Sequence, residues 1–386
     1  MNNSHWPTET PRPEAAGNER GALFIFFLLF FACVSFGVFY CLQIENLPPE
    51  ETPTPVATPA EKEDAVILND DFLDCRGQFE ALSDPKIVQA NSLKQVDDDE
   101  EVLGITIGDE HRAYPLRFIN WHHIVNDRMN GKSFAITYCM ICNTGVAYES
   151  EVGNERLQFD VFGLYRGVLA MYSLDKNGKM TIWTHLDGEA VAGSRKGERL
   201  NAISVLNTSF GEWKKMYPNT TVPDWHTGYE ELYKASMRTG ELRIPPFFFN
   251  TFKNHEDKRL ALNEIVLGLR LKSMQRAYPY KTLARIGAVN ELLDDLPVTV
   301  LYAANSKTAA AYDARLGNKI LRFTSDKGGF RDNLTNSLWN IDGVCIDGEL
   351  KGCKLQKLTF TQSRWYGWSA LFRESSIFAV QDVPAR

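Results

Sequence analysis

Cys139-Met-Ile-Cys142 sets two thiols three residues apart. At that spacing they can share one soft metal ion, or close into a small disulfide ring whose thiolate is activated by neighbouring charge. His122 and His123 stand 17 and 16 residues before Cys139, a separation that lets adjacent strands of one sheet bring imidazole to sulfur. A set of Cys139, Cys142 and His122 would suit copper or zinc, and the same His could instead take a proton from a thiol. Zinc sites usually want a second Cys pair or two placed His, and the chain has no second Cys-x-x-Cys. The plainer alternatives stay open beside these: a buried, hydrogen-bonded His122 next to Trp121, and a Cys pair that only staples a loop.

The elements that must position these residues are duplicated. VLGITIGDEHRAYP begins at Val102 and VLGLRLKSMQRAYP at Val266, an offset of 164 that runs without a gap to Phe159 and Phe323. Of these 58 pairs, 17 are identical, where composition alone gives roughly three or four. Tyr114 matches Tyr278, Asn126 matches Asn290 and Tyr148 matches Tyr312. The match resumes at offset 155, with Asp187-Gly188 against Asp342-Gly343 and Trp213 against Trp368, so the first copy holds nine extra residues around Gly163 to Tyr172.

Short alternating runs such as VLGITI, SFAITYC and LQFDVF have the period and residue types of strands. SFGEWKKMY and WYGWSALF read as short amphipathic helices with Trp on the inner face. The expected body is mostly β, a β-rich α+β fold made of two tandem repeats of one β module with a few short helices.

Residues needed for folding should recur in both copies, while a single site may survive in one. At offset 164, Cys139 faces Ala303, Cys142 faces Ser306, His122 faces Ile286 and His123 faces Gly287. The chemistry is therefore confined to the first copy. Its extra residues carry Tyr165, Arg166 and Met171, which join His123 as substrate or ligand candidates. Cys345 and Cys353 replace Ala190 and Glu198 of the first copy and could pair with each other or with Cys75.

Composition excludes other classes. Lys plus Arg number 42 against 49 for Asp plus Glu, a net charge of -7 that disfavours nucleic acid as a partner. No Gly-x-x-x-x-Gly-Lys-Ser/Thr phosphate loop and no nucleophile elbow is present. Gly21 to Leu42 is an uncharged run long enough to span a bilayer, and bulky Val38, Phe39 and Tyr40 disfavour cleavage after it. The expected organisation is a tail (1–20), a transmembrane signal anchor (21–43) and a Pro/Thr/Glu-rich tether (44–72). Repeat 1 (73–225) carries the site, and repeat 2 (226–386) lacks the Cys pair. The partner implied by the anchor is the membrane, with the bulk of the chain on the extracytoplasmic side, periplasmic or extracellular.

RAYPLRFINWHHIVND, ITYCMICNTGVAY, FGLYRGVLAMY and IWTHLDGEAVAGSRKGERL together resemble the domain of unknown function 3179 family, here as a membrane-anchored member. The second copy, with LWNIDG and WYGWSALF, resembles the family's carboxyl half. The resemblance places His122 in an Asn-Trp-His motif and keeps both Cys of a Cys-Pro-Leu-Cys-Gly motif, from which Met140, Ile141 and Asn143 depart. It puts Gln where this chain has His185, so His185 is not carried over as a site residue. The resemblance implies fold and motif placement rather than a mechanism. Three functions remain in view: a soft-metal protein holding copper or zinc, a thiol–disulfide protein using Cys139 and Cys142, and a non-enzymatic binding or scaffold module.

Overall fold

The computed structural model describes residues 68–238, 250–252 and 255–379. In the first copy, β1 (Glu101–Ile107) and β2 (Glu110–Pro115) form a hairpin that leads into α1 (Leu116–His122). A meander follows, β3 (Ile124–Met129), β4 (Lys132–Cys139) and β5 (Thr144–Glu149). A third sheet is centred on β6 (Phe159–Tyr165), β7 (Val168–Leu174) and β8 (Met180–Thr184). The chain then returns through β9 (Val205–Ser209), which pairs with β1, and α2 (Phe210–Met216). Ser209 caps α2 by accepting the Glu212 N–H, one of the donors a helix start leaves without a partner.

The second copy repeats this order. It runs β10 (Ile265–Arg270), β11 (Gln275–Pro279), α3 (Tyr280–Ile286), β12 (Ala288–Leu293), β13 (Leu296–Ala303) and β14 (Thr308–Asp313). It closes with β15 (Phe360–Arg364) and α4 (Trp365–Leu371). Register recurs too: Leu103 lies opposite Tyr114, and Leu267 opposite Tyr278.

The side chains identical in both copies explain why the elements recur. Asn126 accepts the Phe159 N–H and donates to the Phe159 carbonyl, both at 2.9 Å, tying the meander to the third sheet; Asn290 does the same for Phe323. Trp213 lies over Gly104 and Trp368 over Gly268, where a Cβ would overlap the indole, so each helix packs down on its sheet only because glycine is there. Tyr148 donates to the His185 carbonyl and Tyr312 to the Ile341 carbonyl.

The copies meet through reciprocal contacts, as a pseudo-two-fold requires. β9 of the first packs against β14 of the second, and β15 of the second packs against β5 of the first. Thr208 and Thr308 hydroxyls meet at 2.8 Å on one side; on the other the Arg364 N–H donates to the Cys142 carbonyl at 2.7 Å. One large apolar cluster runs through both copies, joining Ile136 and Tyr138 to Val300 and Tyr312.

The expected fold class needs a correction. The β-rich body is observed, but no helix among the described residues is long and apolar enough to cross a membrane. α1 to α4 have seven residues each, about 10 Å of helix against a hydrocarbon core of about 30 Å, and they serve to cap sheets. The anchor expected over 21–43 and the tail and most of the tether beside it lie outside the described residues.

Candidate metal centre

The two-residue period of β4 divides its side chains between two apolar clusters. Phe134, Ile136 and Tyr138 enter the large cluster, whereas Ala135 and Cys139 enter a smaller one with Met171, Trp183 and Tyr366. Thr137 shares the face of Ala135 and Cys139. The sheet of β6 to β8 covers that face, so any group on it is removed from water.

Cys142 sits in the four-residue turn that joins β4 to β5, between Cys139 and Thr144, which are themselves paired across the hairpin. Asn143 takes the left-handed conformation, φ 50°, that closes the turn, and its side chain accepts from the Tyr138 hydroxyl at 2.9 Å. The turn aims the Cys142 N–H at Cys139 Sγ, 3.5 Å away. From the second copy, α4 covers the pair through Gly367, where a Cβ would stand 3.0 Å from Cys142 Cβ and 3.1 Å from Val168 Cγ1. The centre thus uses donors from one copy and a lid from the other.

The third donor is His185, immediately after β8. Its N–H donates to the Leu169 carbonyl and its own carbonyl accepts from Tyr148, which fix its backbone from both sides. Nδ1 and Thr137 Oγ1 share a hydrogen bond at 2.7 Å, while Nε2 is buried with no hydrogen-bond partner. Among the described residues, one donor atom each from Cys139, Cys142 and His185 lies within 4.8 Å of the others. Two thiolate–metal bonds of about 2.3 Å in a tetrahedral or trigonal arrangement put their sulfurs about 4 Å apart. The group therefore has the size of a metal site. His185 is 0% exposed, Cys142 0% and Cys139 2%, so only a small species can reach them.

Electrostatics separates the three donors. Burial opposes ionisation of Cys139, but hydrogen bonds from the Cys142 thiol and from the backbone of Cys142, Leu169 and Ile141 outweigh it, and its thiol ionises below its usual range. Burial and the neighbouring Cys139 hold Cys142 well above its usual range, with Thr144 and the Arg364 charge acting in the other direction. Burial, with a smaller push from His123, drives the His185 pKa down to about 3, leaving a neutral imidazole with a lone pair to offer.

The remaining expected residues are placed as follows. His122 is not in the group: Nδ1 lies 2.8 Å from the Glu80 carbonyl and Nε2 2.6 Å from the Tyr233 hydroxyl, so both ring nitrogens are engaged in a buried aromatic cluster. His123 lies beside the centre. Its Nδ1 is 3.1 Å from the Tyr138 carbonyl, its ring packs edge-on against Phe79, and its backbone takes φ 55° where the second copy uses Gly287. Met171 is fully buried in the cluster of the Cys pair, opposite Trp183 on the sheet face that also carries His185. Arg166 instead forms the turn of the β6–β7 hairpin, pairs with Asp71 at 3.0 Å and covers the Tyr165 ring. Its charge holds the segment before the first copy, and His255 reaches the same carboxylate from the other side, also at 3.0 Å.

His185 is the residue that sequence reasoning passed over. It follows Trp183, whose counterpart is Trp339, and it stands where the second copy has Ile341, the residue whose carbonyl accepts from Tyr312. The comparison between copies that singled out the Cys pair would have singled out this His as well.

No curated relative and no solved structure matches the chain. A family model described as "Protein of unknown function (DUF3179)" matches residues 76–375, covering both copies and all three donors of the buried group, and the chain belongs to that family.

Proposed function

We propose that Cys139, Cys142 and His185 bind one soft metal ion, copper(I) in preference to zinc(II), and that holding this ion is the function of the first copy. The observation that carries the reading is His185 Nε2: a fully buried ring nitrogen with no partner, beside two thiols, on an imidazole whose other nitrogen is held by Thr137. Leaving such a nitrogen unpaired costs about 1–3 kcal/mol, and a metal ion would satisfy it. Thr137 then plays the part of the outer partner that fixes ring orientation and tautomer, with Nδ1–H donating to its hydroxyl.

Copper(I) is favoured on coordination and on charge. Three buried donors suit a low-coordinate, thiolate-rich ion, whereas zinc wants a fourth ligand. Two thiolates, a neutral imidazole and copper(I) carry a net negative charge, and the Arg364 guanidinium acts on Cys142 in the direction that favours it.

Burial weighs against thiol–disulfide exchange with a protein partner, since neither sulfur can meet a macromolecular disulfide. The test is metal analysis of the reduced full chain after loading with copper(I) or zinc(II), followed by removal of excess metal. One copper per chain, lost in Cys139→Ser and in His185→Gln, is the expected result. Absence of stoichiometric metal in a folded, fully reduced protein overturns the reading.

A further inference from the structure

Cys345 and Cys353 belong to a different part of the molecule, a glycine-closed loop of the second copy. The Cys345 N–H donates to the Cys353 carbonyl and the Gly352 N–H returns to the Cys345 carbonyl, both at 2.9 Å. The pair lies directly inside the bridge between Val344 and Lys354. Both bonds end on Cys345 while Gly352, at φ 88°, and Cys353 share the opposite strand, a glycine bulge that sets Cys353 across from Cys345 at about the 5 Å spacing of neighbouring strands, inside the window of roughly 4.4–6.8 Å between Cα atoms that a disulfide spans.

The first copy supplies a control. Its loop has the same ladder, Ala190 N–H to Glu198 carbonyl at 2.9 Å and Gly197 N–H to Ala190 carbonyl at 2.8 Å, with the Glu189–Arg199 bridge outside it. The loop therefore closes without any sulfur, and the two cysteines are an addition to a scaffold that does not need them for its backbone. Both are free thiols in this structure; Cys353 is half-buried and Cys345 is buried, donating to the Asp347 carbonyl at 3.3 Å.

We propose that Cys345 and Cys353 are an oxidisable pair that closes to a disulfide across this loop, independently of the metal centre. The accessible Cys353, as thiolate, attacks one sulfur of a low-molecular-weight disulfide such as oxidised glutathione and expels one thiolate. Cys345, giving up its proton, then attacks Cys353 Sγ in the mixed disulfide and expels the second thiol. The protein loses two electrons and two protons, and the oxidant gains them as two thiols.

The experiment treats the full reduced chain with oxidised glutathione, blocks remaining thiols and maps tryptic peptides. Cleavage after Lys351 separates the two cysteines, so the bond appears as a joined peptide pair. That pair is expected, with a melting temperature about 3–5 °C above the reduced protein's. Cys345→Ala and Cys353→Glu, which install the first copy's residues, are each expected to melt at the same temperature before and after oxidation, whatever that temperature is in the reduced state. Two blocked thiols after oxidation, a glutathione adduct that persists on Cys353, or a bond from either cysteine to Cys75 would each overturn the proposal.

Discussion

His123 and Gly287 hold the same backbone turn at the ends of α1 and α3, with φ 55° and ψ −31° in the first and φ 77° and ψ −39° in the second. In both, the carbonyl of this residue accepts the N–H of a tyrosine, Tyr138 or Tyr302, at 2.8 Å. Glycine takes such a conformation freely, whereas a side chain there costs about 1–3 kcal/mol. The first copy carries that cost beside its Cys pair, with the imidazole Nδ1 3.1 Å from the Tyr138 carbonyl and the ring edge-on to Phe79.

Strain of this kind fixes an order between two substitutions. His123→Gly and His123→Ala both remove the ring, but only Ala keeps a Cβ in the left-handed turn. In metal-free protein, His123→Gly is expected to be more stable than His123→Ala by about 1 kcal/mol, although glycine ordinarily loses to alanine. Urea midpoints at equal m-values measure it, and an alanine variant at least as stable as the glycine variant would show that the turn is not strained.

Much of this architecture can be read from the chain itself because duplication supplies an internal standard. Trp213 and Trp368, Gly104 and Gly268, and Asn126 and Asn290 each perform the same packing or hydrogen-bonding task in both copies, so their identity across the offset reports structure. Cys139 and Cys142 stood out by failing the same comparison. His122 was misleading because sequence separation says that two strands can be neighbours but not which way a ring at a helix end turns. Its ring turns to Tyr233 and Glu80. His185 lies 43 residues beyond Cys142, and only the packing of the β6–β8 sheet on the meander brings it to the sulfurs.

The proton balance of metal binding follows from the donors. Cys142 is held above the usual thiol range and must lose its proton to ligate, whereas His185, with a pKa of about 3, has none to lose near neutrality. Raising pH removes the competing proton and strengthens binding. The copper(I) dissociation constant is expected to fall about tenfold per pH unit between about pH 6 and 8 from Cys142 alone, and more steeply wherever Cys139 is still protonated. Competition titrations at several pH values test this, and a constant affinity across that range would mean that Cys142 is not a ligand.

Asn126 offers a stability test that is independent of the metal. Its amide satisfies both the N–H and the carbonyl of Phe159 in the interior. Asn126→Ala leaves two buried backbone groups without partners, at about 1–3 kcal/mol each, and is expected to cost about 2–5 kcal/mol in total. Asn290→Ala is expected to cost less, since Asn290 is half-buried where Asn126 is buried, and water can take the place of its amide more easily. Chemical denaturation of the two single variants reads the difference; equal losses would show that burial does not set the cost.

Gly367 tests whether the second copy's helix sets the position of Cys142. In a helix interior alanine is favoured over glycine by about 1 kcal/mol, so on propensity alone Gly367→Ala should stabilise α4. Packing opposes this. The new Cβ would meet Cys142 Cβ at 3.0 Å, Val168 Cγ1 at 3.1 Å and Ser363 Oγ at 3.2 Å, and all three residues are fully buried. None has open space to retreat into, and crowding of this kind costs about 1–3 kcal/mol. The expected outcome is a net loss of about 1 kcal/mol together with weaker copper(I) binding, because the atom that must yield first carries a ligand sulfur. A Gly367→Ala protein that is more stable than wild type and binds copper(I) equally well would mean that α4 covers the centre without shaping it.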